Sequence, residues 1–407
     1  MILLGIDTMM KLALLSLCTG ATLAFVAPRG AHHASTTSLS MSSALIVQNK
    51  GGGHGELGYQ LAKTLLGHEK ITSITILQDE ACKDTAEPFK SYASDLPSVT
   101  VIKAPLGNDD AMTAESLKSI LASASDSFDY IWDNASKGAD GGLGKAVIDC
   151  AKEWNTKLLT YVSSAGVYQP NGIFPMPETT PVKESAGQVR YEQYAKNDLG
   201  LPFCSFRPQY IYGPKSNKYD YIDWYFDRIT RDLPLPIPGD GTQMVSLTNS
   251  EDVASILASV LDHPDEAMEQ GIFNCGTDQL VTYNQVAEMC AQVAGKDKAD
   301  IYYYDADDYG KGNFPFRMTD FYVSPDMVKS KLKWEGAKHS LQDDLVWYYE
   351  GYKANRSERK VDFGKDWEIV VGSKPSLLGD ESVYDKYDPV VIDMSKAKML
   401  KLDMEQK

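Results

Sequence analysis

From residue 44 onward, short apolar strands alternate with segments whose apolar residues recur at helical spacing, and this alternation restricts the fold more than any other feature of the chain. Strands are expected at 44–47, 74–77, 99–102, 130–132, 158–163 and 203–206. Between them, Leu57, Leu61, Ala62, Leu65 and Leu66 share one helix face, as do Leu143, Ala146, Val147 and Cys150. Repeated strand–helix crossovers build a parallel sheet covered on both faces, a doubly wound α/β domain of Rossmann type, placed at residues 43–208. After Pro208 the pattern loosens into an aromatic and proline-rich stretch, with helices expected at 251–261, 283–293 and 341–352. Residues 209–355 are read as a smaller C-terminal α/β lobe interleaved with closing elements of the sheet. Residues 356–407 are charged and irregular, and read as a surface-hugging or partly disordered tail.

The first 42 residues read as a leader. Lys11 precedes an apolar run from Leu12 to Phe25, and Thr22-Leu-Ala24 supplies small residues for cleavage. The run is shorter than the roughly 20 residues of a membrane span, and no later segment is long and apolar enough, so no membrane partner is expected. Phe25-Val-Ala-Pro28 then opens a hydroxyl-rich stretch, and no acidic residue lies between Asp7 and Glu56. A signal peptide followed by a transit peptide beginning at Phe resembles the bipartite leader of algae with secondary plastids, which implies delivery to the plastid stroma. Plain secretion is the alternative, and it gains nothing from the cysteines. All 6 are scattered without a C-x-x-C pair, which suggests neither a disulfide framework nor a zinc cage. The formal charge of −16 argues against coating nucleic acid by overall positive charge, so any such site must be local.

The turn after the first strand carries glycine at 52, 53, 55 and 58 and leads into a helix. Glycines there allow a tight turn, a close approach of backbone to pyrophosphate, and close packing of helix on strand. Gly52, Gly53, Gly55 and Gly58 are therefore candidate cofactor contacts, with Asn134 beyond the fourth strand. Asp79 and Glu80 end the second strand about 20 residues on, where an acid accepts a ribose hydroxyl. This favours NAD over NADP, the alternative being a solvated acidic pair opening a loop. The alternative to this reading of the glycines is a turn of the same fold that no longer holds nucleotide.

The fifth strand runs into Ser163-Ser-Ala-Gly-Val-Tyr168 and the sixth into Arg207-Pro-Gln-Tyr-Ile-Tyr-Gly-Pro214. Both stretches resemble the extended short-chain dehydrogenases and epimerases. That resemblance implies a substrate-binding serine at Ser163 or Ser164, followed by a helix with Tyr-x-x-x-Lys, in which lysine lowers the pKa of a tyrosine acting as acid or base. Aligned on the downstream Glu192, the tyrosine position holds Glu184 and the lysine position holds Gln188. Tyr191 and Lys196 are five residues apart, which does not place them on one helix face. Pro238-Gly-Asp-Gly-Thr-Gln-Met-Val245 also lacks the arginine with which that family grips a sugar nucleotide.

A narrower group shares these departures. Gly52-Gly-His-Gly-Glu-Leu-Gly58, Trp224-Tyr-Phe-Asp-Arg-Ile-Thr-Arg-Asp232, Pro236-Ile-Pro-Gly239 and Ile272-Phe-Asn-Cys275 resemble the stem-loop-binding proteins of chloroplasts, over about residues 43–352. That resemblance implies binding of RNA stem-loops, endoribonuclease activity assisted by a divalent cation, association with plastid ribosomes or transcription machinery, and homo-oligomerisation. Contact with RNA needs basic and aromatic residues on one surface, and Lys215, Lys218, Tyr219, Tyr221, Arg228 and Arg231 are the local candidates. Magnesium needs clustered oxygens, for which Asp79 and Glu80 are the candidates. Two alternatives remain: an NAD-dependent epimerase, dehydratase or reductase with Glu184 as acid or base, and a nucleotide-sensing scaffold without catalysis.

Overall fold

A computed structural model describes residues 42–48, 53–106, 112–216 and 221–373. The expected leader at 1–42, apart from Ser42, lies outside the described residues. The six expected strands are present, each extended or trimmed by one to three residues: β1 (Ser42–Gln48), β2 (Ile71–Asp79), β3 (Thr100–Ala104), β4 (Tyr130–Asp133), β5 (Leu158–Val162) and β6 (Phe203–Pro208). All pair in parallel, and every residue of β4, β5 and β6 is buried, as a sheet covered on both faces requires.

A seventh strand, Ile272–Cys275, pairs with β6, giving the order seventh strand, β6, β5, β4, β1, β2, β3. Crossovers run outward in both directions from β1 and β4, so the switch point lies between their carboxyl ends. One apolar layer, with Leu57, Leu61 and Leu65, fills the face under the first helix (Gly53–Leu66); a second, with Val147 and Tyr191, fills the opposite face.

The small lobe is built on three two-stranded ribbons and an aromatic core. Leu235–Pro238 pairs with Ile301–Tyr304, Met244–Ser246 with Leu280–Thr282, and Ile211–Tyr212 with Thr248–Asn249. Trp224, Tyr225 and Phe226 of the helix Ile222–Ile229 pack with Tyr283, Phe314, Phe316 and Tyr352.

Residues 374–407 lie outside the described residues, and the described part of the expected tail, 356–373, differs from an irregular segment. It turns back and forms a helix, Gly364–Ser373, which buries Phe363, Trp367, Ile369, Val370 and Val371. Ile369 and Val370 close a small cluster with Tyr302 and Tyr304. Trp367-Glu-Ile-Val-Val371 is a compact apolar run whose helical partner surfaces lie far away in sequence, so its local pattern gave no sign of docking. Among the described residues no helix is long and apolar enough to cross a membrane.

Candidate functional site

The crevice at the carboxyl ends of β1, β2 and β4 is where a doubly wound sheet places nucleotide. Gly52 lies outside the described residues, while Gly53 opens the first helix and Gly55 and Gly58 lie within its first two turns. At Gly58 a Cβ would stand 2.0 Å from Gln48 Oε1, so glycine there lets the last side chain of β1 lie against the helix backbone. Asn134 Nδ2 donates to the same Gln48 oxygen at 3.0 Å, and Gln48 Nε2 donates to Tyr92 Oη at 3.4 Å. Asn134 thus ties β4 to β1.

Asp79 ends β2 with 3% exposure, its Oδ1 accepting the Ala81 N–H at 2.8 Å. Its Oδ2 carries no hydrogen bond among the described residues and remains able to take a ribose hydroxyl. Helix N-terminus, glycines and acid together fit a dinucleotide. The magnesium expectation fares differently. Asp79, the last residue of β2, is buried, whereas Glu80 is exposed in the turn that follows the strand. Among the described residues no three His, Cys, Asp or Glu side chains converge as a metal cage.

Glu56, which the sequence reading left without a role, is 1% exposed in the first turn of the same helix. Oε1 accepts the Lys215 N–H at 2.9 Å, while Oε2 has no partner and neither does Ser250 Oγ. Both groups crowd Gly213, where a Cβ would meet Ser250 Oγ at 2.2 Å and Glu56 Oε1 at 2.5 Å. Burial raises the Glu56 carboxyl to about 7, against the lowering effect of the Lys215 N–H. An acid inside a glycine-rich turn was the available signal, but its partners come from a loop more than 150 residues away.

On the other side of the switch point, the helix after β5 begins at Gly187, so Glu184 stands before it, exposed and accepting Gln193 Nε2 at 3.0 Å. Tyr191 faces the core. Its hydroxyl donates to Asp133 Oδ2 at 2.9 Å and its ring stacks on Tyr161 at 3.8 Å, and burial raises its pKa well above the ordinary tyrosine value. Ser163 is 3% exposed with its Oγ unpartnered, and Ser164 Oγ accepts the Gly166 N–H at 3.0 Å, capping the turn Ala165–Val167.

The RNA candidates are corrected in part. Arg228 is 1% exposed, bonded to Asp366 at 2.6 Å and lying 3.9 Å from the Trp224 ring centroid. It anchors the C-terminal helix and offers nothing to a polymer. Arg231 donates to the carbonyls of Ser357 and Arg359 and to that of Asp227, so it too holds that segment. Arg228 is covered by the helix Gly364–Ser373 and Arg231 is tied to Ser357 and Arg359, all from a segment whose sequence predicts irregular structure. Lys215 donates to Ser91 Oγ at 2.6 Å, with Asp95 3.5 Å away. Tyr221 packs edge-on to Tyr210 and parallel to Phe316. Lys218 and Tyr219 lie outside the described residues.

Comparison with known proteins agrees with this geometry. The model of the NAD dependent epimerase/dehydratase family matches residues 51–276. The chloroplast stem-loop binding protein of 41 kDa b from Arabidopsis thaliana is 31% identical over 245 residues, 56% of this chain and 64% of that protein, so less than two thirds of the relative is spanned. A trifunctional UDP-glucose 4,6-dehydratase/epimerase/reductase of the same plant is 26% identical over 46% of this chain and 27% of its own length.

Among solved structures, dTDP-glucose 4,6-dehydratase from Bacillus anthracis in complex with NAD superposes with a TM-score of 0.60 at 17% identity, covering 77% of this chain and 97% of that one. UDP-glucuronic acid 4-epimerase from Bacillus cereus in complex with NAD gives 0.59 at 16% identity, covering 77% and 99%. These likenesses establish the architecture. With the family model covering more than half of its length, the chain belongs to the NAD-dependent epimerase/dehydratase family.

Proposed function

We propose that this chain is a plastid RNA-binding protein that retains the NAD(P)-binding scaffold of its family without the family's proton-transfer pair. The observation that carries the reading is the segment after β5, where Glu184 just before the helix and Gln188 within it stand at the positions expected for tyrosine and lysine, and where Tyr191 is buried against Asp133. A carboxylate followed by an amide cannot reproduce a tyrosinate whose pKa is lowered by a neighbouring ammonium. The 31% identity to a chloroplast stem-loop binding protein supports the RNA-binding and plastid parts of the proposal.

NAD, when bound, would supply hydride chemistry. Here the Gly53 helix N-terminus and Asp79 would hold its pyrophosphate and ribose, and its role in this chain is that of a structural or sensed ligand. Self-association and contact with plastid ribosomes or transcription machinery belong to the same proposal.

The test incubates the chain with labelled plastid stem-loop RNA, with and without magnesium, and separately with NAD and UDP-glucose or dTDP-glucose. Retention of RNA with no change in either sugar nucleotide is expected. Magnesium-dependent cleavage would add an endoribonuclease activity to RNA binding, and retention alone would leave a scaffold. Turnover of a sugar nucleotide without RNA retention would overturn the reading in favour of epimerase or dehydratase chemistry.

A further inference from the structure

The arginines of the described residues divide into two kinds. Arg190, Arg207, Arg228, Arg231, Arg356 and Arg359 are each ion-paired with an aspartate or glutamate. Arg317 has no such partner among the described residues. Its guanidinium lies 3.8 Å from the centroid of the Phe321 ring, and Nη2 donates to the Gly166 carbonyl at 3.3 Å. Gly166 belongs to the turn after β5, so Arg317 reaches from the small lobe to the rim of the sheet's carboxyl edge. Lys183 is attached to the same turn through its N–H to Val167 O at 2.9 Å; its ammonium is exposed and pairs with no acid among the described residues.

Beside these cations lies a partly exposed aromatic pair. Phe174 and Tyr322 stack with centroids 5.2 Å apart and planes 26° from parallel. The segments carrying them are joined by the bridge of Met176 with Val323 and by Met176 N–H to Tyr322 O at 2.9 Å. Phe174 packs against the buried cluster that holds Phe321, so the ring under Arg317 and the stacked pair belong to one packed group. Ile173 and Met318 on the same two segments remain 58% and 40% exposed.

Rings at a surface accept stacked bases, and a planar guanidinium grips phosphate in a fork. In a chain of net charge −16, a guanidinium and an ammonium left unpaired at one rim make the local positive spot that an anionic polymer requires, which favours nucleic acid over a protein partner. We propose that this rim, Phe174 and Tyr322 with Arg317 and Lys183, holds the unpaired nucleotides of an RNA loop, the rings taking a base and the two cations its flanking phosphates. The inference rests on the RNA-binding reading above and supplies it with a surface different from the helix Ile222–Ile229.

The test compares the full chain with Arg317→Gln, Tyr322→Leu and Phe174→Leu, each checked for an unchanged melting temperature. Filter retention is measured on a stem-loop RNA and on a fully paired duplex of equal length across a salt series. Arg317→Gln should weaken binding of both about tenfold and reduce the salt slope by about 1. Whichever aromatic variant folds should weaken stem-loop binding about tenfold and leave the duplex unaffected. If the wild-type chain binds RNA and the folded variants bind it equally well, the rim is not the RNA surface and is left for a protein partner. Equal losses on stem-loop and duplex for the aromatic variants would overturn base stacking. A wild-type chain that retains no RNA would bring down the functional reading itself, and this proposal with it.

Discussion

Glu56 joins the first helix to the turn at Gly213–Lys215, and its titration is expected to show in stability. Burial raises its pKa from 4.5 to about 7, so the folded chain holds this proton more tightly than the unfolded chain does. The stability it contributes is fully present below about pH 4.5 and is lost as pH rises towards about 7. Glu56→Gln keeps an acceptor for the Lys215 N–H and removes the charge. Denaturant unfolding should show no gain near pH 4 and a gain of about 2–3 kcal/mol near pH 8. A gain of equal size at both pH values would show that the site does not titrate. At Gly58, alanine would drive a Cβ to within 2.0 Å of Gln48 Oε1, and urea unfolding of Gly58→Ala should show a loss of about 1–3 kcal/mol. The role of Gly58 was legible in the spacing of the turn, because that spacing is itself the constraint. That of Glu56 was not, because its burial depends on Gly213 and Ser250.

The strands were the most legible elements. β4, β5 and β6 are buried along their whole lengths and therefore read as unbroken apolar runs. The seventh strand is only four residues long and carries Asn274 in its middle, so its run was too short to separate from a loop. The helix Gly364–Ser373 was missed for the opposite reason: its apolar residues have meaning only against Tyr302, Tyr304 and Arg228. That error carried into the site, since an arginine under an unforeseen helix was read as a surface cation. Asp366 is raised to about 6 by burial even with Arg228 beside it, so the pair does not fully offset its own desolvation. Asp366→Ala, which takes the carboxylate away from the buried Arg228 guanidinium, should lower stability by about 3–5 kcal/mol in denaturant unfolding. Replacing both residues by apolar ones of similar size should cost much less, and equal losses in the single and double variants would contradict a buried ion pair.

At the scale of the whole molecule, the architecture of the epimerase/dehydratase family is combined with a helix after β5 whose Tyr191 is buried against Asp133. If the crevice holds NAD in the folded state only, NAD at about 100 times its Kd should stabilise the chain by about 2.7 kcal/mol, readable as a rise in melting temperature. No rise at any concentration would mean that the glycine-rich turn serves packing alone. The central claim is that this scaffold serves RNA. Its most direct test is equilibrium retention of a labelled plastid stem-loop RNA by the full chain as salt is raised from about 50 to 200 mM. The account predicts saturable retention whose affinity falls linearly on logarithmic axes, with a slope equivalent to a few phosphates. No retention at the lowest salt would contradict it and return the chain to small-molecule chemistry.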